Sequence, residues 1–457
     1  MKKYLFIIVS VLIGISLLAG CGGGSGSSSS SENASVKITV TKNSIPLKNN
    51  KITLNGAKKS YTETTDSQGL AEFEKIYEGA YTIHIEGCEK TFSLNVAKDR
   101  TTSVSIDTEK ENKEYTVIFY ANSYNLDGGL IKNLKQMYQF GSTAKTNICV
   151  LYKTSQSNGI YRGLVNKNEG SDITEGLEKL PNANFGKPSL LRDFIIWSQT
   201  NYPAEKYILV LWDHGTGWTP YWDTKAINHD DDYKDWLECY EIHEAVTGLG
   251  LTAICMDACC MQMAEVLTQI KNDAQMSLAS QEEIPASGYN YTDFFTCLNK
   301  YDSLVQAFTQ FGKNQIQDMD WKYFDTDIHL TDLSQTDNVN MAIKEISDFL
   351  TENASVYGKE ISLARQETPE IDYYEKDFEA FAENVSKRIN SREFDSLLSE
   401  YRNAVSSALL FKGKTKGKNG LGINLPNRND YLAYFGNYSK TEFAGETGWD
   451  RFLGSLL

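Results

Sequence analysis

The chain contains no His-Glu-x-x-His and no Cys-x-x-Cys, and His243-Glu244 lacks a second histidine one helical turn on, so a catalytic zinc is unsupported. Positive charge is in deficit. The 45 Lys and Arg against 60 Asp and Glu leave a formal net charge of −15, which argues against nucleic acid as the main partner because phosphate binding needs clustered cations. Cysteines are sparse: the eight lie at 21, 88, 149, 239, 255, 259, 260 and 297. They show no evenly spaced small-domain pattern, so no disulfide framework is read. The apolar run Tyr4 to Leu17 is short for a membrane span. Disorder is equally unsupported, since 41% of the residues are apolar and 12% aromatic, enough to build a sizeable core.

The N-terminus reads as a targeting signal, with Lys2 and Lys3 ahead of the apolar run and Leu18-Ala-Gly-Cys21 resembling a bacterial lipobox. The expectation is cleavage of residues 1–20 and lipidation of Cys21, giving a protein anchored to a membrane without spanning it, on the extracytoplasmic side. Residues 21–35 are nearly all Gly and Ser, the composition of a flexible tether. From 36 to 108, short stretches such as Val36-Lys-Ile-Thr-Val40, Ile52-Thr-Leu54, Tyr81-Thr-Ile-His-Ile85, Phe92-Ser-Leu-Asn-Val96 and Val104-Ser-Ile106 alternate apolar and polar residues between turn clusters. This predicts a small antiparallel β-sandwich. Thr65-Asp-Ser-Gln-Gly-Leu-Ala-Glu-Phe73 and Gly79-Ala-Tyr-Thr-Ile83 resemble carboxypeptidase-regulatory or collagen-adhesin B-type modules, which implies a spacer or a binding module. His84 alternates with apolar strand neighbours and is read as a surface side chain.

After charged residues 109–114 the pattern changes to alternating strands and helices: strands at Tyr115 to Ala121, Asn147 to Tyr152, Tyr207 to Trp212 and Thr252 to Met256, helices at Gly128 to Phe140 and Ser189 to Thr200. Such βαβ periodicity predicts an α/β fold with a mostly parallel sheet covered by helices on both faces. Farther on, Ile328 to Leu333 and Leu421 to Leu425 read as strands, with Asn338 to Glu352 and Phe378 to Arg388 as helices.

Two strand ends carry chemistry. Thr252-Ala-Ile-Cys-Met-Asp-Ala-Cys-Cys-Met-Gln-Met-Ala-Glu265 places Asp257 and Cys259 at the carboxyl end of a strand, where ligands bind in open α/β sheets. A following helix from Met261 would favour the Cys259 thiolate through its amide donors. The second end is Tyr207-Ile-Leu-Val-Leu-Trp-Asp-His-Gly-Thr-Gly-Trp218, where a continuous apolar strand stops at His214. Parallel strands would bring this base to the same sheet edge as the cysteines, and Gly215, without a Cβ, would let its N–H approach a substrate carbonyl. Three cysteines compete within six residues: Cys255 lies inside the strand, and Cys260 would open the helix on another face than Cys259.

His214-Gly-Thr-Gly-Trp218, Asp257-Ala-Cys259 with Met261-x-x-x-Glu265, and Ala279-Ser-x-Glu282 with Pro285 and Gly288-Tyr-Asn-Tyr291 closely resemble the clostripain family of cysteine peptidases. Gly420-Leu-Gly-Ile-Asn-Leu-Pro426 and Thr447-Gly-Trp-Asp-Arg-Phe-Leu453 extend the likeness to the C-terminus, giving a peptidase domain over 114–457. The resemblance implies a caspase-like three-layer fold and a dyad of Cys259 and His214 with no third member, the N–H groups of Gly215 and Cys259 holding the oxyanion. It implies cleavage of polypeptides after Arg or Lys, with Asp257 lining the pocket and Glu282 and Asn290 as further pocket residues; where relatives often carry Gly-Trp, this chain has Gly288-Tyr289. Relatives cut themselves between histidine and nucleophile. Of the two basic residues there, Lys225 and Lys234, the expectation is a cut after Lys225, before Ala226.

No cofactor is expected. Asp230-Asp-Asp232 suggests calcium, to which some relatives respond, yet it lacks alternating ligands and a closing Glu and is read as a solvated loop. Gly413-Lys-Thr-Lys-Gly-Lys-Asn-Gly420 does not match a phosphate loop and reads as a surface turn. The alternative to a lipid-anchored endopeptidase is a surface adhesin or binding lipoprotein whose peptidase-like domain is inactive.

Overall fold

The computed structural model describes residues 10–12, 32–42, 45–88, 90–108, 113–169, 172–218, 226–324, 326–372, 374–413, 419–434, 436 and 438–455. Cys21, nearly all of the expected tether, Lys225 and most of the 413–420 turn lie outside them. By density of contacts the chain forms two compact units: residues 1–116 with 144–147 and 193–207, and residues 117–143, 148–192 and 208–457. Among the described residues no helix is long and apolar enough to cross a membrane.

The N-terminal strands form a sandwich because alternate residues are apolar: Val36, Ile38 and Val40 on one strand, Ile52 and Leu54, Ile83 and Ile85, Phe92, Leu94 and Val96 on others, all point into one core. One sheet orders 51–56 between 60–64 and 79–85, with 91–96 at the far edge. The other departs from the antiparallel sandwich that the sequence predicts, since Ala34–Lys42 runs parallel to Thr101–Asp107 and antiparallel to Leu70–Ile76. Of the expected leader only Ser10–Leu12 is described, as an antiparallel edge strand beside Thr101–Asp107. His84 is exposed on its strand.

The second architecture is a nine-stranded sheet with helices. In chain order its elements are β1 (Lys113–Asn122), α1 (Asp127–Phe140), β2 (Thr146–Lys153), β3 (Ile160–Leu164), β4 (Glu178–Leu180), α2 (Pro188–Asn201), β5 (Ala204–Trp212), the small hairpin β6 (Ile227–Asp230) and β7 (Asp235–Leu237), α3 (Cys239–Val246), β8 (Ala253–Asp257), α4 (Ala264–Ile270) and β9 (Met276–Ala279). Then follow α5 (Tyr291–Lys300), α6 (Leu304–Gln315), α7 (Met319–Tyr323), β10 (Ile328–Asp332), α8 (Thr336–Glu352), α9 (Ala354–Glu367), α10 (Phe378–Ile389), α11 (Arg392–Ala408) and β11 (Leu409–Gly413). The strand order is β4-β3-β2-β1-β5-β8-β9-β10-β11. Through the middle, β5–β8 and β8–β9 are parallel, and antiparallel strands extend both edges.

The continuous apolar runs are the central strands, buried on both faces: every residue of β8 and the last six of β5 are buried. Two predicted details change. The strand at Gly422–Asn424 pairs with Glu375–Asp377 outside the main sheet, whose last strand is instead β11. Helix α2 begins one residue before the predicted start at Ser189, at Pro188, where a missing N–H costs a helix nothing.

Candidate active site

Register decides what meets at the sheet edge. Because β5 and β8 are parallel with Trp212 opposite Asp257, their next residues leave the sheet side by side, His214 from one strand and Cys259 from the other. Gly215 shows how close they come: a Cβ there would lie 2.4 Å from the Cys259 carbonyl oxygen and 2.8 Å from the Ala258 Cβ. Only glycine fits. Among the described residues the N–H groups of Gly215 and Cys259 have no hydrogen-bond acceptor, so two donors stand open beside the sulfur.

Burial separates the three cysteines. Cys255 and Cys260 are 0% exposed, whereas Cys259 is partly accessible. Cys260 adopts φ +60°, so the chain turns sharply after Cys259 and the helix starts only at Ala264. The predicted helix dipole behind the thiol is therefore missing. The Cys259 Sγ receives the N–H of Ile284 at 3.3 Å, but burial outweighs that bond and, with Glu283, Asp372 and Asp257 adding negative charge, pushes the thiol up to about 11. Cys259 at rest is a thiol.

His214 is half-buried; burial, with the neighbouring His229, pushes its imidazole below its ordinary value, so it rests neutral. Its Nε2 lies 2.7 Å from Asn125 Oδ1. The sequence gives no hint of this partner, which sits in the turn after β1 with no motif around it. Behind the histidine, Asp213 is 4% exposed, and burial raises its carboxyl well above the ordinary carboxylate value against the opposing pull of the His214 and His229 N–H groups.

Asp257 is 1% exposed, with Tyr289 N–H donating to its two oxygens at 3.1 and 3.0 Å and Tyr291 OH at 2.8 Å. Burial pushes it up to about 7. In this structure it holds the Gly288 to Tyr291 segment against β8, and Gly288, at φ +60°, is required because a Cβ would meet Asp257 Oδ2 at 2.8 Å. Asn290 is the N-cap of α5, its side chain accepting from Asp293 N–H at 3.1 Å. The Glu282 carbonyl accepts from Cys260 N–H at 3.0 Å, and its carboxylate weighs on Cys260 and Glu375. Glu283, which the sequence does not single out, is exposed, and Asp372 is half-exposed.

Of the Asp230 to Asp232 run, Asp231 and Asp232 lie on a largely exposed turn, as the solvated-loop reading expects, but Asp230 does not. Asp230 is fully buried, ion-paired with Lys153 at 3.1 Å and accepting from Phe185 N–H at 3.0 Å; Asp232 meets the same lysine at 2.6 Å. A lysine within reach neutralises the charge a calcium ion would need. Ala226 is buried, with φ +55°. All seven described cysteines are free.

A family model for the clostripain family matches residues 118–455. The chain belongs to the clostripain family. Clostripain of Hathewaya histolytica is 23% identical over 241 residues, 44% of this chain and 45% of that protein, so the match spans under half the length of this curated relative. Among solved structures, a secreted C11 cysteine protease from Bacteroides thetaiotaomicron, crystallised with an irreversible peptide inhibitor, is similar over 74% of this chain and 99% of its own, at 19% identity and a TM-score of 0.56. An inactive zymogen C11 protease from Parabacteroides distasonis is similar over the same shares, at 18% identity and a TM-score of 0.56. These likenesses show the fold, the caspase-like arrangement typical of clostripain relatives.

Proposed function

We propose that this clostripain relative is a cysteine endopeptidase in which Cys259 is the nucleophile and His214 the base. The observation that carries the reading is the pair of strand ends in register, with two unengaged N–H groups next to a partly accessible cysteine. His214 takes the thiol proton as Sγ attacks the scissile carbonyl; the oxyanion settles between the Gly215 and Cys259 N–H groups; the histidine then protonates the leaving amine, and water releases the acyl group. A thiol and a neutral imidazole at rest suit this order, in which the proton moves during attack rather than before it.

Substrates cleaved after Lys or Arg are favoured by the field at the sulfur, where Glu283, Asp372 and Asp257 all add negative charge. Glu283 is exposed and Asp372 half-exposed near the sulfur; Asp257 reaches a substrate side chain only where the Gly288 to Tyr291 segment moves, and Glu282 and Asn290 support the walls through backbone and cap. The chain is further proposed to comprise a leader (1–20), a tether (21–35) lipidated on Cys21 and extracytoplasmic, a sandwich (36–108) and the peptidase domain (114–457). Fluorogenic peptides ending in Arg, Lys or a neutral residue test the activity. The expected result is hydrolysis of the basic peptides by the wild type and none by Cys259→Ala. Full activity in Cys259→Ala refutes the dyad, and no hydrolysis by either favours a binding lipoprotein.

A further inference from the structure

Asn125 lies in the turn Ser123 to Leu126 at the carboxyl end of β1, and β1 is the neighbour of β5 in the sheet. A third strand end therefore reaches the site. The side chain is exposed, but the backbone beneath it is braced. Leu126 N–H bonds to the Ser123 carbonyl at 2.6 Å, Asp127 accepts from Ser123 Oγ and from Ser155 N–H at 2.9 Å, and Asn122 Nδ2 donates to the His229 carbonyl at 2.5 Å.

An amide oxygen can only accept, so a contact of 2.7 Å to Nε2 requires the proton on that nitrogen and leaves the lone pair on Nδ1. Among the described residues the His214 ring has no other hydrogen bond. A neutral amide fixes the ring while stabilising its protonated form far less than a carboxylate would. We propose that Asn125 is a positioning residue for His214, holding it as the Nε2–H tautomer so that Nδ1 is the atom that takes the Cys259 proton and returns it to the leaving amine. This rests on the peptidase reading for its kinetic consequence, though not for the tautomer.

The test uses the full chain. Asn125→Ala should lower kcat about 10- to 100-fold with KM within about twofold and an unchanged thermal melt, because orientation of the base is lost and substrate contacts are not. Asn125→Asp keeps the acceptor and should restore most of kcat. Its carboxylate stabilises the imidazolium, so the acid limb of kcat/KM should move up by about one pH unit. Nitrogen NMR of the histidines, with His214 identified by its loss in His214→Gln, should show Nε2–H in the wild type and a mixture in Asn125→Ala. A wild-type Nδ1–H tautomer, or an unchanged kcat in Asn125→Ala, overturns the proposal. Thiol-independent or absent hydrolysis by the wild type refutes the peptidase reading instead, and the tautomer spectrum then decides Asn125 alone.

Discussion

At the scale of single residues, the surroundings of the proposed nucleophile work against the usual preparation of a reactive cysteine. Burial raises the Cys259 thiol and lowers the His214 imidazole, so each move stabilises the uncharged partner and disfavours a resting thiolate–imidazolium pair. With the thiol near 11, alkylation of Cys259 by iodoacetamide should keep rising with pH, about tenfold per unit, through pH 9 to 10. Labelling should reach Cys259 well before the buried Cys255 and Cys260. A rate that levels off below pH 8 would reveal a pre-formed ion pair. The acid limb of kcat/KM, set by the free histidine, should correspondingly fall below the ordinary 6.5. His214 and Cys259 were legible because each closes an apolar run. Asn125 was not, since its nearness depends on which strand neighbours β5, and strand order leaves no trace in local periodicity.

At the scale of elements, short helix α4 is tied to the Gly422–Asn424 strand through Glu265. Its Oε1 accepts from Asn424 N–H at 3.0 Å and from Tyr438 OH at 2.6 Å; burial pushes this carboxyl up to about 7. The folded state thus binds the proton more tightly than the unfolded chain, whose value is near 4.5. The resulting stability is fully present below that value and is lost as pH rises through about 7. The upper bound for this group is about 3.5 kcal/mol. The melting temperature should accordingly drop between pH 5 and pH 8, and Glu265→Gln should flatten the drop; an unchanged slope would place the titration elsewhere. Elements such as β5, β8 and α10 were readable from their patterns. The Glu375–Asp377 strand was not: three charged residues carry no strand signal, and only their pairing with Gly422–Asn424 makes them one. Asn290 caps α5, a helix over Tyr291 to Lys300 that the sequence reading did not pick out.

At the scale of the whole molecule, Asp230 was misread for the same reason that Asn125 was missed, because Lys153, its partner, stands 77 residues away in sequence. That pairing matters beyond its charge. Ile227 bridges Gly215, Thr216 N–H bonds to the Ala226 carbonyl at 2.9 Å, Asn228 Nδ2 to the Trp212 carbonyl at 3.2 Å, and Asp230 to Lys153 and Phe185. The start of the segment after Lys225 is thus stitched to strands on the other side of the proposed cut. N-terminal sequencing of the wild type should find a chain beginning at Ala226, absent from Cys259→Ala, and the two pieces should co-elute by size exclusion and part only in denaturant. An uncut chain with full activity, or pieces that separate in native buffer, would refute this. The stitching gives the protein an unusual liberty: its covalent continuity can be surrendered beside the histidine while the histidine stays where it is. A nick here could then act as a record that the enzyme has worked once, with no loss of the machinery that made it.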